Sequence, residues 1–219
     1  MASITVQKPT DQPLGRGRLL ESLRLLLGSR ELNEFYMVVA FAKVGPLLRL
    51  RADIEAWRAA GKSIHAVIGV DEQGTSVEAL QFAIDHFSGT HVAHVPGPFT
   101  PTFHPKIYAF RGATQAVAFI GSNNLTVGGL ESNFESHLRV QMNLPADDAT
   151  WAEFDACYRD ALTAALPLTP ALLQQLSTAA IVVGEAAMRA TRQRTPRAPG
   201  VGPAAPPALP AFPILPLVP

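Results

Sequence analysis

Residues able to do chemistry concentrate in one stretch of this chain, FHPKIYAFRGATQAVAFIGSNNLTVGGLESNFESHL, residues 103–138. His104 and Lys106 stand two apart, a spacing that on a strand puts both side chains on one face. The chain turns at Gly112 and returns as QAVAFI, ending in Gly121-Ser122-Asn123-Asn124. In an antiparallel pair the end of the second strand lies beside the start of the first. Asn124 can therefore approach Lys106 through local pairing. A glycine-containing loop, TVGGLESN, follows and delivers Glu135. An imidazole can attack phosphorus or protonate a leaving oxygen. A lysine ammonium and an asparagine amide suit the nonbridging oxygens of a phosphodiester. A carboxylate behind an imidazole fixes its tautomer and favours its cation. These groups can together replace a metal ion. DxD and CxxC spacings are absent, so no metal or other cofactor is expected.

Each residue also has a plainer reading. His104 alone could be a buried histidine on a backbone carbonyl, Lys106 a solvated strand end and Asn124 a turn former. It is the ordered set that makes coincidence a poor account. His91 and His94, three apart on a strand, point to opposite faces and do not suggest a shared metal. His65, His86 and His137 lack a partner pattern and read as structural, and Trp57 and Trp151 read as core. Thr100, Thr102 and Phe103 adjoin the motif in a proline-rich loop.

The elements that must position these groups follow from periodicity. Residues 1–14 read as an extended arm, limited by Pro9 and Pro13. Leu19, Leu20, Leu23, Leu26 and Leu27 recur at helical spacing, with Gly28 as the stop. The apolar run 34–44 reads as a buried strand. Residues 46–60 restore a helical period between Pro46 and Gly61, residues 63–70 form a second buried strand, and a helix over 75–88 starts at Thr75 or Ser76. Strand, helix, strand, helix is the signature of right-handed parallel crossovers. Shorter strands are expected at 91–95, 105–111, 115–121 and 134–143, and helices at 147–166 and 169–190. The fold class is α/β, a mixed sheet with helices on both faces. Residues 15–194 form the domain, and 195–219 a Pro/Ala-rich disordered tail. Arg189, Arg192, Arg194 and Arg197 cluster before and within that tail. They fit either cations at a helix end or a contact to phosphate.

Composition bounds the function. Lys plus Arg equals Asp plus Glu at 18 each, so any nucleic-acid contact must come from a local cluster. Cys157 is the single cysteine, which suits a reducing compartment. The first residues lack an apolar signal region and no run reaches membrane-spanning length, so a cytoplasmic address is expected.

The pattern His104-x-Lys106, then Gly121-Ser122-Asn123-Asn124, resembles the phospholipase D superfamily, sharply over 103–138 and by element order over 15–165. Lipid-hydrolysing members place an Asp five residues after the Lys, whereas Arg111 stands here. The run NLT, GG and Asn133-Phe134-Glu135 resembles instead phospholipase D-like restriction endonucleases and helicase-associated nuclease domains. The resemblance implies a phospholipase D-like half-site of His104, Lys106, Asn124 and Glu135, with Ser122, Lys106 and Asn124 binding substrate. It implies a metal-independent phosphodiesterase, a nuclease forming a phosphohistidine at a site shared by a homodimer, because the chain has one HxK where the chemistry needs two. DNA is the first substrate to expect, with restriction or helicase proteins as partners. Phospholipid hydrolysis, and a catalytically silent nucleic-acid-binding or dimerisation subunit, are the alternatives.

Overall fold

The computed structural model describes residues 1–95 and 101–194, with side chains described through residue 190. The expected tail, Thr100, and the side chains of Arg192, Arg194 and Arg197 lie outside the described residues.

Five residues of the expected N-terminal arm, Ser3–Gln7, are strand β1. Helix α1, Leu19–Leu27, follows and buries Leu19, Leu20, Leu23 and Leu27, the predicted stripe. The apolar run gives β2, Leu32–Val39. The single helix expected over 46–60 is two, α2 at Val44–Arg49 and α3 at Arg51–Ala59. Leu50 between them leaves helical geometry at φ −95°, ψ 1°, and its side chain stays in the core. Gly61 has φ +76°, which explains the stop there. Then come β3 at Ser63–Gly69, α4 at Val77–His86 and β4 at Gly89–Ala93. Ser76 caps α4 by accepting from the Ala79 N–H.

The meander follows as β5, Lys106–Gly112, β6, Gln115–Gly121, and β7, His137–Asn143. Helix α5 is Asp148–Thr163, and a three-residue strand, β8 at Ala165–Pro167, closes the far edge. The helix expected over 169–190 is split into α6, Pro170–Thr178, and α7, Glu185–Arg194. Ala180 adopts φ 53° between them, a left-handed turn no helix can run through.

Among the described residues eight strands form one mixed sheet in the order β1-β7-β6-β5-β2-β3-β4-β8. β2, β3 and β4 pair in parallel, and the other neighbours are antiparallel. One face carries the larger core, where Phe35 and Phe110 stack at 3.9 Å and Trp57 meets Phe110 edge-on. Burying one such side chain contributes roughly 1.5–3 kcal/mol. The other face packs Ala109, Ala118, Val140 and Met142 under Trp151 of α5. Both tryptophans are core residues, as expected. Among the described residues no helix is long and apolar enough to cross a membrane.

Candidate active site

Sheet register gathers the predicted residues at one end of the sheet. Lys106 opens β5 opposite Val39 at the close of β2, Ile107 pairs with Ile120 near the end of β6, and Gly121 pairs with His137 at the start of β7. The ladder reaches the motif itself, because the Ala40 N–H donates to the Pro105 carbonyl at 2.9 Å. Two glycines permit the close approach of loops here. A Cβ on Gly121 would lie 2.2 Å from the Ser136 carbonyl oxygen, and one on Gly129 would lie 2.3 Å from that of Asn124.

His104 is exposed and its ring stands edge-on to Phe41 at 5.7 Å. Lys106 is buried, 6 % exposed. Its Nζ lies 2.6 Å from His104 Nδ1 and 3.0 Å from Nε2, and donates to the His104 carbonyl at 2.8 Å. Burial pushes the lysine pKa down, and the nearby Glu135 charge opposes that shift. Among the described residues no carboxylate lies within ion-pair distance of Lys106. A buried cation without a paired anion is costly.

Asn124 is half-buried, and its Oδ1 is buried without a hydrogen-bond partner. An unsatisfied amide oxygen costs roughly 1–3 kcal/mol, a cost that only a hydrogen-bond donor would offset. Glu135 accepts hydrogen bonds from Ser122 Oγ and from Asn133 Nδ2, the latter at 3.4 Å. Its hydrogen bonds go to these two residues and not to His104. The structure thus brings Glu135 and Lys106 into each other's field and links Glu135 directly to Ser122.

Several supporting residues carry no motif. Asn123 is buried, donating from Nδ2 to the Gly129 carbonyl at 2.7 Å while Oδ1 meets His137 Nδ1 at 3.0 Å. Tyr108 donates to the Asn123 carbonyl at 3.0 Å, and burial holds its pKa well above the usual value. Gln12, from the expected arm, is fully buried and donates to the carbonyls of Gly129 at 3.0 Å and of Gly128 and Asn133 at 3.3 Å. Its only sequence signal was a polar residue between two prolines. Asn123 was visible only as the x of GSxN.

Arg111 lies at the opposite end of β5, its guanidinium 5.5 Å from the Trp151 ring centroid. Five residues of strand separate it from Lys106 by about 16 Å. Arg189 pairs with Glu185 at 3.6 Å on α7, away from the motif in sequence but in a cleft it shares with Lys43. His91 sits in β4, while His94 pairs with Asp71 at 2.7 Å. Among the described residues no group of three metal-ligating side chains is assembled.

No protein-family model matches the sequence, and no curated protein matches it. Solved structures do match. The chain superposes on NucT from Helicobacter pylori with a TM-score of 0.55 and 14 % identity, over 77 % of this chain and 100 % of that one. It superposes on the phospholipase D family member Nuc from Salmonella typhimurium with a TM-score of 0.53 and 16 % identity, over 77 % and 99 %. The chain has the phospholipase D fold. A third structure with that fold, phosphatidylserine synthase from Haemophilus influenzae, matches with a TM-score of 0.50 and 12 % identity over 88 % of this chain and 46 % of that one. At these identities the phospholipase D fold is what is shared, and the reading of the site rests on this chain's own residues.

Proposed function

We propose that this chain is a metal-independent phosphodiesterase, a nuclease that hydrolyses DNA at a site completed by a second copy of itself. The observation that carries the reading is the buried Lys106 ammonium, in contact with the His104 imidazole and unpaired by any carboxylate among the described residues. An incoming phosphodiester supplies the missing anion. It draws the ammonium off the ring onto a nonbridging oxygen and frees a nitrogen lone pair to attack. The Asn124 Nδ2 donates to another nonbridging oxygen.

One imidazole cannot be both nucleophile and acid on opposite sides of phosphorus. In this reading a ring nitrogen of one His104 forms the P–N bond as the P–O bond to the leaving oxygen breaks. His104 of the second copy, already protonated, gives its proton to that oxygen. It then accepts a proton from water, whose oxygen attacks phosphorus and displaces the first imidazole. Glu135 acts through its field on Lys106 and through Ser122. Two-fold pairing is supported by exposed apolar residues at the same end of the sheet, on the face opposite Lys106. Ile4 and Val6 are 64 % and 62 % exposed there, next to Leu138 and Ile120. DNA as substrate rests on the Asn133-Phe134-Glu135 pattern and on Arg111 where lipid-hydrolysing members carry Asp.

The test is purified protein incubated with DNA, RNA and phospholipid vesicles in excess EDTA. Cleavage of DNA supports the reading. Activity that vanishes on chelation and returns with Mg²⁺ sinks the phosphohistidine route, and hydrolysis confined to RNA or lipid replaces the substrate.

A further inference from the structure

His104 is held by its neighbours on both sides. After it, Pro105 is paired to Ala40 by ordinary strand hydrogen bonding. Before it, the Phe103 N–H donates at 3.2 Å to Oδ2 of one side chain, Asp71. Asp71 is buried, 7 % exposed, in the turn that closes β3. Its Oδ1 accepts from His94 Nδ1 at 2.7 Å and from the Val95 N–H at 3.0 Å. A carboxylate can only accept, so His94 carries its proton on Nδ1. One carboxylate thus ties the end of β4 to the residue preceding His104.

The turn bearing Asp71 is strained. Glu72 and Gln73 are consecutive non-glycine residues with φ 54° and 53°, in the left-handed region. They are held there by Lys43 Nζ donating to the Gln73 carbonyl at 3.3 Å, Gln73 Nε2 donating to Ala180 at 3.2 Å and Thr102 Oγ1 donating to Glu72 at 3.3 Å. Strain maintained by surrounding contacts is a mark of a position serving function. Here what the strained turn delivers is the carboxylate that fixes the chain just ahead of the candidate nucleophile.

We propose that Asp71 is a positioning residue of the site, setting where the His104 ring stands by holding the backbone at Phe103. This rests on the proposed phosphodiesterase reading. Nucleophilic attack tolerates little misplacement, since a shift of 1 Å can cost a hundredfold in rate. Asp71→Asn replaces one accepting oxygen with a donor and cannot satisfy all three N–H groups. Expected is a loss of about tenfold to a hundredfold in kcat, with oligonucleotide KM within about twofold. Amide hydrogen exchange at Phe103 should accelerate together with that loss. Both are read below the variant's own Tm, where a merely stabilising residue would leave kcat untouched. Asp71→Glu keeps the charge but moves the oxygens by one methylene, and gives the same reading if Asp71→Asn does not fold. Wild-type protein that cleaves no phosphodiester overturns the proposed function and this role with it. Active wild-type protein whose Asp71 variants keep full kcat, or keep Phe103 exchange unchanged, overturns this role alone.

Discussion

Burial and the Glu135 charge act on Lys106 in opposite directions, and the two residues make separate predictions. Burial disfavours the Lys106 cation while Glu135 favours it, and no carboxylate contact among the described residues compensates that cation directly. Lys106→Met therefore removes a charge the fold has reason to avoid, while keeping the chain length that fills the space. We expect Tm to hold or rise as kcat falls about 10²–10³-fold, the range for losing one transition-state donor. Thermal melts alongside single-turnover assays decide this, and a large drop in Tm would mean that the ammonium is structural. Glu135→Gln removes the charge that supports the Lys106 cation and should lower turnover by about 10²–10³, the range for a lost electrostatic contribution, with little change in Tm. An unfolded variant would instead make the Ser122–Glu135 contact part of the scaffold.

At the scale of elements, the loop carrying Glu135 hangs on buried polar groups, and these give a pH signature. Burial pushes the His137 pKa down to about 4, against about 6.5 in an unfolded chain. As pH falls the unfolded state binds this proton first. The stability contributed by a neutral His137 is therefore complete above about pH 6.5 and is lost as pH falls toward 4. Tm followed over that window should slope less steeply in His137→Gln than in the wild type, and equal slopes would show that His137 is not the group responsible. Gln12→Leu removes a donor shared by three loop carbonyls, of which Gly129 and Gly128 keep Asn123 Nδ2 and the Asn133 N–H. Its expected cost is about 1–3 kcal/mol in a denaturant titration, and turnover should fall because Glu135 is then loosely held. The sequence made some of this legible. The two-residue spacing brought His104 and Lys106 together, although β5 begins at Lys106 and His104 precedes it, and the stripe of α1 was plain. The edge strands β1 and β8 were not, since five and three residues carry too little pattern and their pairing is set by distant partners. Breaks at Leu50 and Ala180 were hidden because each residue type is compatible with a helix, and only packing turned the chain there. Asp71 and Gln12 were invisible for a related reason. Their roles consist of accepting from, or donating to, backbone groups that carry no sequence signal.

At the scale of the whole molecule, the proposed shared site implies a stoichiometry. Mixing wild-type with His104→Ala subunits under exchange or co-expression should block heterodimers, because both imidazoles are then needed. Activity should fall as about the square of the wild-type fraction. A linear fall, or full activity in a protein that sediments as a monomer, would point to one histidine working with another acid. The exposed Ile4, Val6, Ile120 and Leu138 face gives a complementary handle, since a charge introduced there should weaken pairing and turnover together.

The way β1 joins the sheet has a consequence for biosynthesis. This first strand pairs with β7, and Gln12 reaches a carbonyl 117 residues further along. A nascent chain leaving the ribosome therefore carries His104 and Lys106 well before the segment that holds the Glu135 loop has a partner. Contacts of such long sequence separation form late and set the pace of folding. A hydrolase with this topology would acquire its complete cutting centre only once β7 has emerged from the exit tunnel and paired with β1.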